Sequence, residues 1–235
     1  MDKIYFIAKK ELATYFKSPI AYIILILMIS IFNIFFFMII DQNREASLRD
    51  VFLLMEFMFV FLVPLITMRM FSEEKLTGTM EFLMTAPVTN TAIVLGKYVG
   101  VLLFFSLMIS MTFVYYGIIE YFGSPDTMTT FSGYFGVWLE GAFFLSIGMM
   151  TSSWTRNQIV AAMTSYIILF LLYFSTSFTQ YFGGNIEKAI QQISTLSHLE
   201  NLVAGIVTVG DITYYLSGIL LCVVLTRLSI ENRLS

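Results

Sequence analysis

The chain has 235 residues, of which 58% are hydrophobic and only 12% charged, with a formal net charge of −3. Soluble domains carry about a quarter charged residues, so this balance excludes a water-soluble globule, and the uncharged blocks between charges are long enough to cross a bilayer. The 13 Lys and Arg make no continuous basic stretch beyond the N-terminus, which argues against a nucleic-acid partner, and a lone Cys222 in an apolar stretch leaves no partner for an intrachain disulfide.

Residues 1–17 open the chain with an amphipathic pattern. At about 100° per residue, Ile4, Tyr5, Ala8, Leu12, Tyr15 and Phe16 fall on one arc and Lys3, Lys9, Lys10 and Lys17 on the other, the signature of an interfacial helix on anionic lipid. Ser18-Pro19 then turns the chain, since proline is tolerated at a helix start. Six apolar runs follow, near 20–40, 51–70, 92–119, 131–153, 158–181 and 212–230. Each approaches or exceeds the roughly 20 residues a spanning helix needs. All are too long for barrel strands, and a helix satisfies its backbone polar groups within one segment. The expected fold is an all-α membrane protein with six transmembrane helices, forming one domain over 1–235. The first run exceeds a signal-peptide h-region and lacks a small-x-small cleavage site before Asp41, so it is expected to stay in the protein.

In the second run, Pro64 removes an N–H and frees the Val60 carbonyl, which predicts a kink. The segment 71–91 is polar and helix-forming through Phe71-Ser72-Glu73-Glu74-Lys75, then breaks at Gly78 and Pro87. In the fourth run Glu140 shares a helix face with Gly133 and Gly136, small residues that let another helix come close. It is expected to point into the bundle, protonated and hydrogen-bonded to a hydroxyl or a backbone carbonyl, as a structural donor, a substrate or proton contact, or a water-facing lumen group. In the fifth run Tyr166, Tyr173, Ser177 and Gln180 form one polar stripe, which either lines a lumen, with Asn33 of the first run, or joins helices by hydrogen bonds. In 182–211, Ile186, Ala189, Ile190 and Ile193 recur at helical spacing, and Ser197-His198-Leu199-Glu200 reads as a capping box. Two short helices of about ten residues cannot cross the bilayer, so they lie on it or dip in and return. Asp211 is read as the N-cap of the last span.

Basic residues near span ends are retained on the cytoplasmic side. One side carries ten, namely Lys3, Lys9, Lys10, Lys17, Arg69, Lys75, Lys97, Arg156, Arg227 and Arg233. The other carries three, Arg44, Arg49 and Lys188. Both termini are therefore expected in the cytoplasm. No G-x-x-x-x-G-K-[ST] is present, since Gly96-Lys97 lacks the earlier glycine and is followed by Tyr98, so the chain is not expected to bind ATP itself. His198 has no metal-ligand spacing around it, and the 15 Met are scattered as apolar filler; no metal site and no cofactor are expected in this chain, and no base and nucleophile pair points to an enzyme.

The run from Met68 through Phe71-Ser72-Glu73-Glu74-Lys75-Leu76-Thr77-Gly78-Thr79-Met80-Glu81-Phe82 to Pro87-Val88, continuing to Gly96-Lys97, resembles the signature after the second span of ABC-2-type transporter permeases. Ser152-Ser153-Trp154-Thr155-Arg156-Asn157-Gln158, and Ser197-His198-Leu199-Glu200-Asn201-Leu202 through Asp211 to Ser217, resemble the subgroup holding the gliding-motility-associated permease and the nitrous-oxide-reductase accessory permease. The resemblance covers nearly the whole chain. It implies a bacterial cytoplasmic (inner) membrane location, an elbow helix at 1–17, a cytoplasmic coupling helix within 71–91 and short re-entrant outer helices within 182–211. It also implies a homodimer or paired permease, a separate ATPase subunit that holds ATP and Mg, and a possible large outer-side auxiliary subunit.

A pump without a nucleotide site must receive motion through a rigid contact, which gives Phe71, Glu73, Glu74, Thr79, Glu81 and Phe82 the role of ATPase-coupling residues. The three acids either pair with basic residues on the ATPase, setting register, or form a solvated face. Two functions compete: an exporter permease, and a force-transmitting or anchoring subunit that acts on an outer-side partner without passing substrate. A secondary transporter would need paired broken helices and a charged midplane relay. The topology is tested by single cysteines in a Cys222→Ser background. Those at Thr79 and Ser235 are expected to label only from the cytoplasm and those at Asn43 and Asn185 only from outside; reversed labelling at Ser235 means an odd number of spans.

Overall fold

The computed structural model describes residues 2–43, 45–81, 88–178 and 184–231. Every regular element among them is an α-helix: α1 (Asp2–Lys17), α2 (Pro19–Asn43), α3 (Arg49–Thr67), α4 (Ser72–Thr77), α5 (Asn90–Met111), α6 (Phe113–Phe122), α7 (Thr127–Trp154), α8 (Gln158–Phe178), α9 (Asn185–Ile193), α10 (Thr195–Val203) and α11 (Val209–Glu231). Six helical stretches are long and apolar enough to cross a bilayer: Pro19–Gln42, Arg49–Thr77, Asn90–Phe122, Thr127–Trp154, Gln158–Ser177 and Val209–Glu231. They coincide with the six apolar runs of the sequence. One end of the bundle carries α1 and α4, here called the amino-terminal face; the far face carries α9 and α10.

Local chemistry sets the helix ends. Pro19 opens α2 immediately after α1, where its missing N–H has no intrahelical partner to lose. α4 closes at Gly78, whose φ of 74° is the left-handed conformation that glycine adopts without a Cβ penalty. Asp126 caps α7 by accepting from the Met128 N–H at 3.1 Å. The Thr129 hydroxyl and these backbone N–H groups hold its carboxyl below the usual range.

The span at 92–119 is one crossing stretch made of two helices, since α5 stops at Met111 and α6 restarts at Phe113, and two expectations about helix starts are corrected below. At the break the buried Thr112 hydroxyl donates to Ile109 O at 2.7 Å, and Tyr134 donates to the Thr112 carbonyl at 2.7 Å, competing with the helical ladder. The Ser197 and Glu200 capping box is absent: α10 begins three residues earlier, capped by extended Ser194, which accepts from the Ser197 N–H. Asp211 does not cap the last span either. Thr208 does, accepting from the Asp211 N–H at 3.1 Å, while Asp211 sits one turn inside and accepts from the Thr208 hydroxyl at 2.7 Å.

α7 is the axis of the bundle. Of its most apolar stretch 89% is buried, against 22% for α8 and α11 and 28% for α2, so those three form the periphery. Lipid supplies no hydrophobic drive between helices, and close backbone approach becomes the main source of attraction. α7 provides it through glycines: Gly133 abuts Phe52 of α3, Gly136 abuts Leu199 and Leu202 of α10, Gly141 abuts Phe105 of α5, and Gly148 abuts Thr67 of α3. On the amino-terminal face α1 lies along α5, where Gly96 and Gly100 admit Ile7 and Glu11, and Tyr15 stacks on Phe104 with centroids 4.9 Å apart. Ala8 is buried while Tyr5 and Phe6 face outward.

A Cβ on Gly148 would lie 2.0 Å from Thr67 Oγ1, whereas one on Gly117 of α6 meets nothing within 4 Å. Gly148→Ala is therefore expected to destabilise by about 1 to 3 kcal/mol through overpacking. Gly117→Ala is expected to be neutral or stabilising by up to about 1 kcal/mol. Thermal melting of the two variants side by side checks the contrast.

Candidate functional site

At the amino-terminal face one buried cation joins three elements. Lys97, on the first turns of α5, is 3% exposed. Its Nζ lies 3.1 Å from Glu11 Oε2 of α1 and 2.9 Å from Glu74 Oε1 of α4, and it stands 5.3 Å over the Phe71 ring. A lysine this deep requires charge partners, and two carboxylates with an aromatic face provide them. Beside it Tyr15 of α1 donates to the Ile66 carbonyl of α3 at 3.1 Å. Burial, with Glu11 nearby, pushes the Tyr15 hydroxyl well above the ordinary phenol range and keeps it a donor.

The start of α4 is capped by another helix. Ser152 Oγ of α7 accepts from the Phe71 and Ser72 N–H groups at 3.0 and 3.2 Å and donates to the Met68 carbonyl at 3.0 Å. Its one hydroxyl thus satisfies two N–H groups that a helix start leaves without intrahelical partners. Lys75 Nζ donates to the Ser153 carbonyl, which also accepts from Ser229 of α11 at 3.1 Å. Between α1 and α4 lies an open cavity of about 350 Å³, lined by Lys10, Thr14, Arg69, Glu73 and Thr79 among others.

The coupling residues named from the sequence divide accordingly. Phe71 is fully buried and anchors α4. Glu73 makes a two-bond pair with Arg69, both bonds 2.8 Å. Glu74 turns inward to Lys97, whereas Glu81 is exposed and Glu73 part-exposed. Thr79 is exposed, its hydroxyl 2.9 Å from that of Thr77. Phe82 lies outside the described residues. Lys97, Glu11 and Ser152 were not identified from the sequence as a site. The available signal was a lysine at the head of an apolar run, together with Glu11, an acid between the two faces of an otherwise basic helix.

Two of the lumen candidates contact α3. Tyr166 donates to the Phe61 carbonyl of α3 at 2.9 Å, and Tyr173 packs on Phe57 of α3. Ser177 is exposed, and Asn33 is half-buried on α2, which packs on α3 like α8 does. Gln180 lies outside the described residues.

Glu140 is fully buried and points into the bundle, as expected. The hydroxyl or backbone carbonyl expected to accept from it is not in bonding geometry: neither oxygen has a hydrogen-bond partner among the described residues. The groups it faces are the carboxyl of Glu56 and the hydroxyl of Thr195. Glu56, itself fully buried on α3, went unrecognised because a single acid within 51–70 vanishes into the average of its apolar neighbours. Farther toward the far face, His198 Nδ1 lies 2.6 Å from Asp211 Oδ1 and its ring stacks on Tyr214 at 4.1 Å, tying α10 to α11.

A family model described as ABC-2 family transporter protein matches residues 5–232. No curated protein matches the chain.

Removing the cation tests the amino-terminal site. Lys97→Met leaves Glu11 and Glu74 facing each other and is expected to cost about 3 to 5 kcal/mol. Adding Glu11→Gln and Glu74→Gln is expected to recover most of it. Melting temperatures of the single and triple variants give the comparison, and an unchanged single variant would remove Lys97 from this role.

Proposed function

Because the chain belongs to the ABC-2 transporter family, which makes it a multi-pass membrane protein and implies an ABC ATPase partner, we propose that it is the permease subunit of an ATP-driven exporter whose nucleotide chemistry resides in that partner. The observation that carries this reading is the fixation of α4: ion pairs to α5 and, through Lys97, α1, together with hydrogen bonds to α7, join it to the bundle on several sides. A protrusion held this way passes displacement to the spans instead of absorbing it. We assign the amino-terminal face and both termini to the cytoplasm of a bacterial inner membrane, on the ten-to-three division of basic residues. In this assignment residues 1–235 form one permease domain, α1 is the elbow helix, α4 the coupling helix, and α9 and α10 the re-entrant outer helices.

The motifs at Ser152–Gln158 and Ser197–Ser217 support membership of the subgroup that holds the gliding-motility-associated and nitrous-oxide-reductase accessory permeases. A second copy of the chain completes the transport unit in this reading, and a large outer-side auxiliary subunit fits the α9 and α10 face. One observation favours the alternative of force transmission without substrate passage: the Tyr166 hydroxyl is engaged with the Phe61 carbonyl and not turned toward a lumen. Neighbouring genes discriminate, since an ATPase with a large outer-side protein points to the gliding type and copper-site accessory proteins to the other.

The exposed acids test the coupling role. Glu73→Lys combined with Glu81→Lys is expected to reduce co-purification of the ATPase subunit and ATP hydrolysis in the reconstituted pair, with the melting temperature of the permease little changed. Glu74 is left intact because Lys97 depends on it. Unchanged capture returns both acids to a solvated face.

A further inference from the structure

Two glutamates inside spans are fully buried, Glu56 on α3 and Glu140 on α7. The two carboxyls face each other across the α3–α7 contact, and each acts on the other. The Thr195 hydroxyl, at the start of α10, reaches Glu56 Oε1 at 3.4 Å. Glu56 Oε2 and both oxygens of Glu140 are buried with no other partner among the described residues. The titratable groups facing the pair are Tyr173 of α8, Glu200 of α10, and Tyr214 and Tyr215 of α11. None of these is basic. Tyr214 and Tyr215 give their single hydroxyl protons to the carbonyls of Ile193 and Thr195, at 2.6 and 3.0 Å. His198 and Asp211, farther out, pair with each other.

We propose that Glu56 and Glu140 form a proton-binding site, in which one proton held between the two carboxyls seats the α9–α10 corner on α3 and α7. Two bare carboxylates in contact repel, and each would lie desolvated without donors. A proton turns that repulsion into a charge-assisted O–H···O bond, among the strongest available in a bilayer interior. A metal ion fits less well: no three His, Cys, Asp or Glu among the described residues converge to hold one, and oxygen-bound Ca²⁺ takes about six to eight ligands. Release of the proton to water leaves two like charges directly beneath Thr195, which loosens the corner that Tyr214 and Tyr215 clasp from α11. This is a site for a proton, and it stands on the fold alone, so it survives or fails independently of the permease reading.

The test uses the full chain in lipid nanodiscs. Infrared spectroscopy at neutral pH is expected to show a protonated-carboxyl C=O band that shifts in D₂O and is lost in the Glu56→Gln/Glu140→Gln variant, whose amides keep a hydrogen bond without a titrating proton. A proton bound by the folded chain and released on unfolding stabilises at low pH, and that stability is lost as pH rises. The melting temperature of the wild type is therefore expected to fall by about 3 °C per pH unit between about pH 5 and pH 8, beyond the slope of the double variant. Absence of the acid band in the wild type, or persistence of band and slope in the double variant, overturns the proposal. So does a rise in melting temperature with Na⁺ or Ca²⁺ at fixed pH that the double variant lacks, since the pair then holds a metal cation. If the double variant does not fold, Glu140→Gln alone, whose amide donates to Glu56, supplies the same comparison.

Discussion

How closely a backbone can approach α7 governs where the rest of the bundle sits. Four glycines on that helix bring α3, α5 and α10 to distances at which a methyl group would collide with Phe52, Phe105, Leu202 or Thr67. In water such contacts would be supplemented by the exclusion of solvent; between helices in lipid, dispersion and a few hydrogen bonds carry the association. Of the spans, α3 and α5, which meet α7 at its own glycines, are the better buried, while α11 meets it through Gly218 and stays peripheral. α2 and α8 keep broad apolar faces.

The same helix carries polar groups at two levels. Near its C-terminal end, Ser152 and the Ser153 carbonyl hold α4 and the tail of α11. Near its middle, Glu140 meets Glu56 and Thr195 beneath the α9–α10 corner. About twelve residues, or roughly 18 Å at 1.5 Å per residue, separate the two levels along one continuous helix. A helix is stiff along its axis, so the structures attached at Ser152 and at Glu140 share a rigid spacer. The Lys97 ion site adds α1 and α5 to the lower attachment.

Much of this architecture was legible in the sequence, because bilayer thickness converts apolar run length directly into spans. The six spans, the helix after Met68, its stop at Gly78 and the inward aim of Glu140 all followed from local pattern. What failed to follow depended on partners distant in sequence. The pairing of Glu74 with Lys97 did not show, because helix periodicity says nothing of a lysine on another helix. Ser194 displaced Ser197 as a cap because a capping motif names compatible residues without fixing which one takes extended backbone. Glu56 was lost to averaging, and only the meeting of α3 with α7 makes it informative.

The interruption at Thr112 gives one span two mechanical allegiances. Its first part, α5, is riveted to α1 and to the middle of α7 through Glu11, Trp138 and Ala142. Its last ten residues are held otherwise: Tyr134 grips the Thr112 carbonyl, Phe113 stacks on the Tyr134 ring at 4.3 Å, and Tyr115 stacks on Phe36 of α2 at 4.4 Å. The Thr112 carbonyl accepts from the Tyr115 N–H at 2.9 Å as well as from Tyr134, so the joint is a tightened turn that stays hydrogen-bonded on both sides. One span thus answers to two neighbours: α6 is tied by its aromatic rings to the early turns of α7 and to α2, while α5 is tied to α1 and the middle of α7.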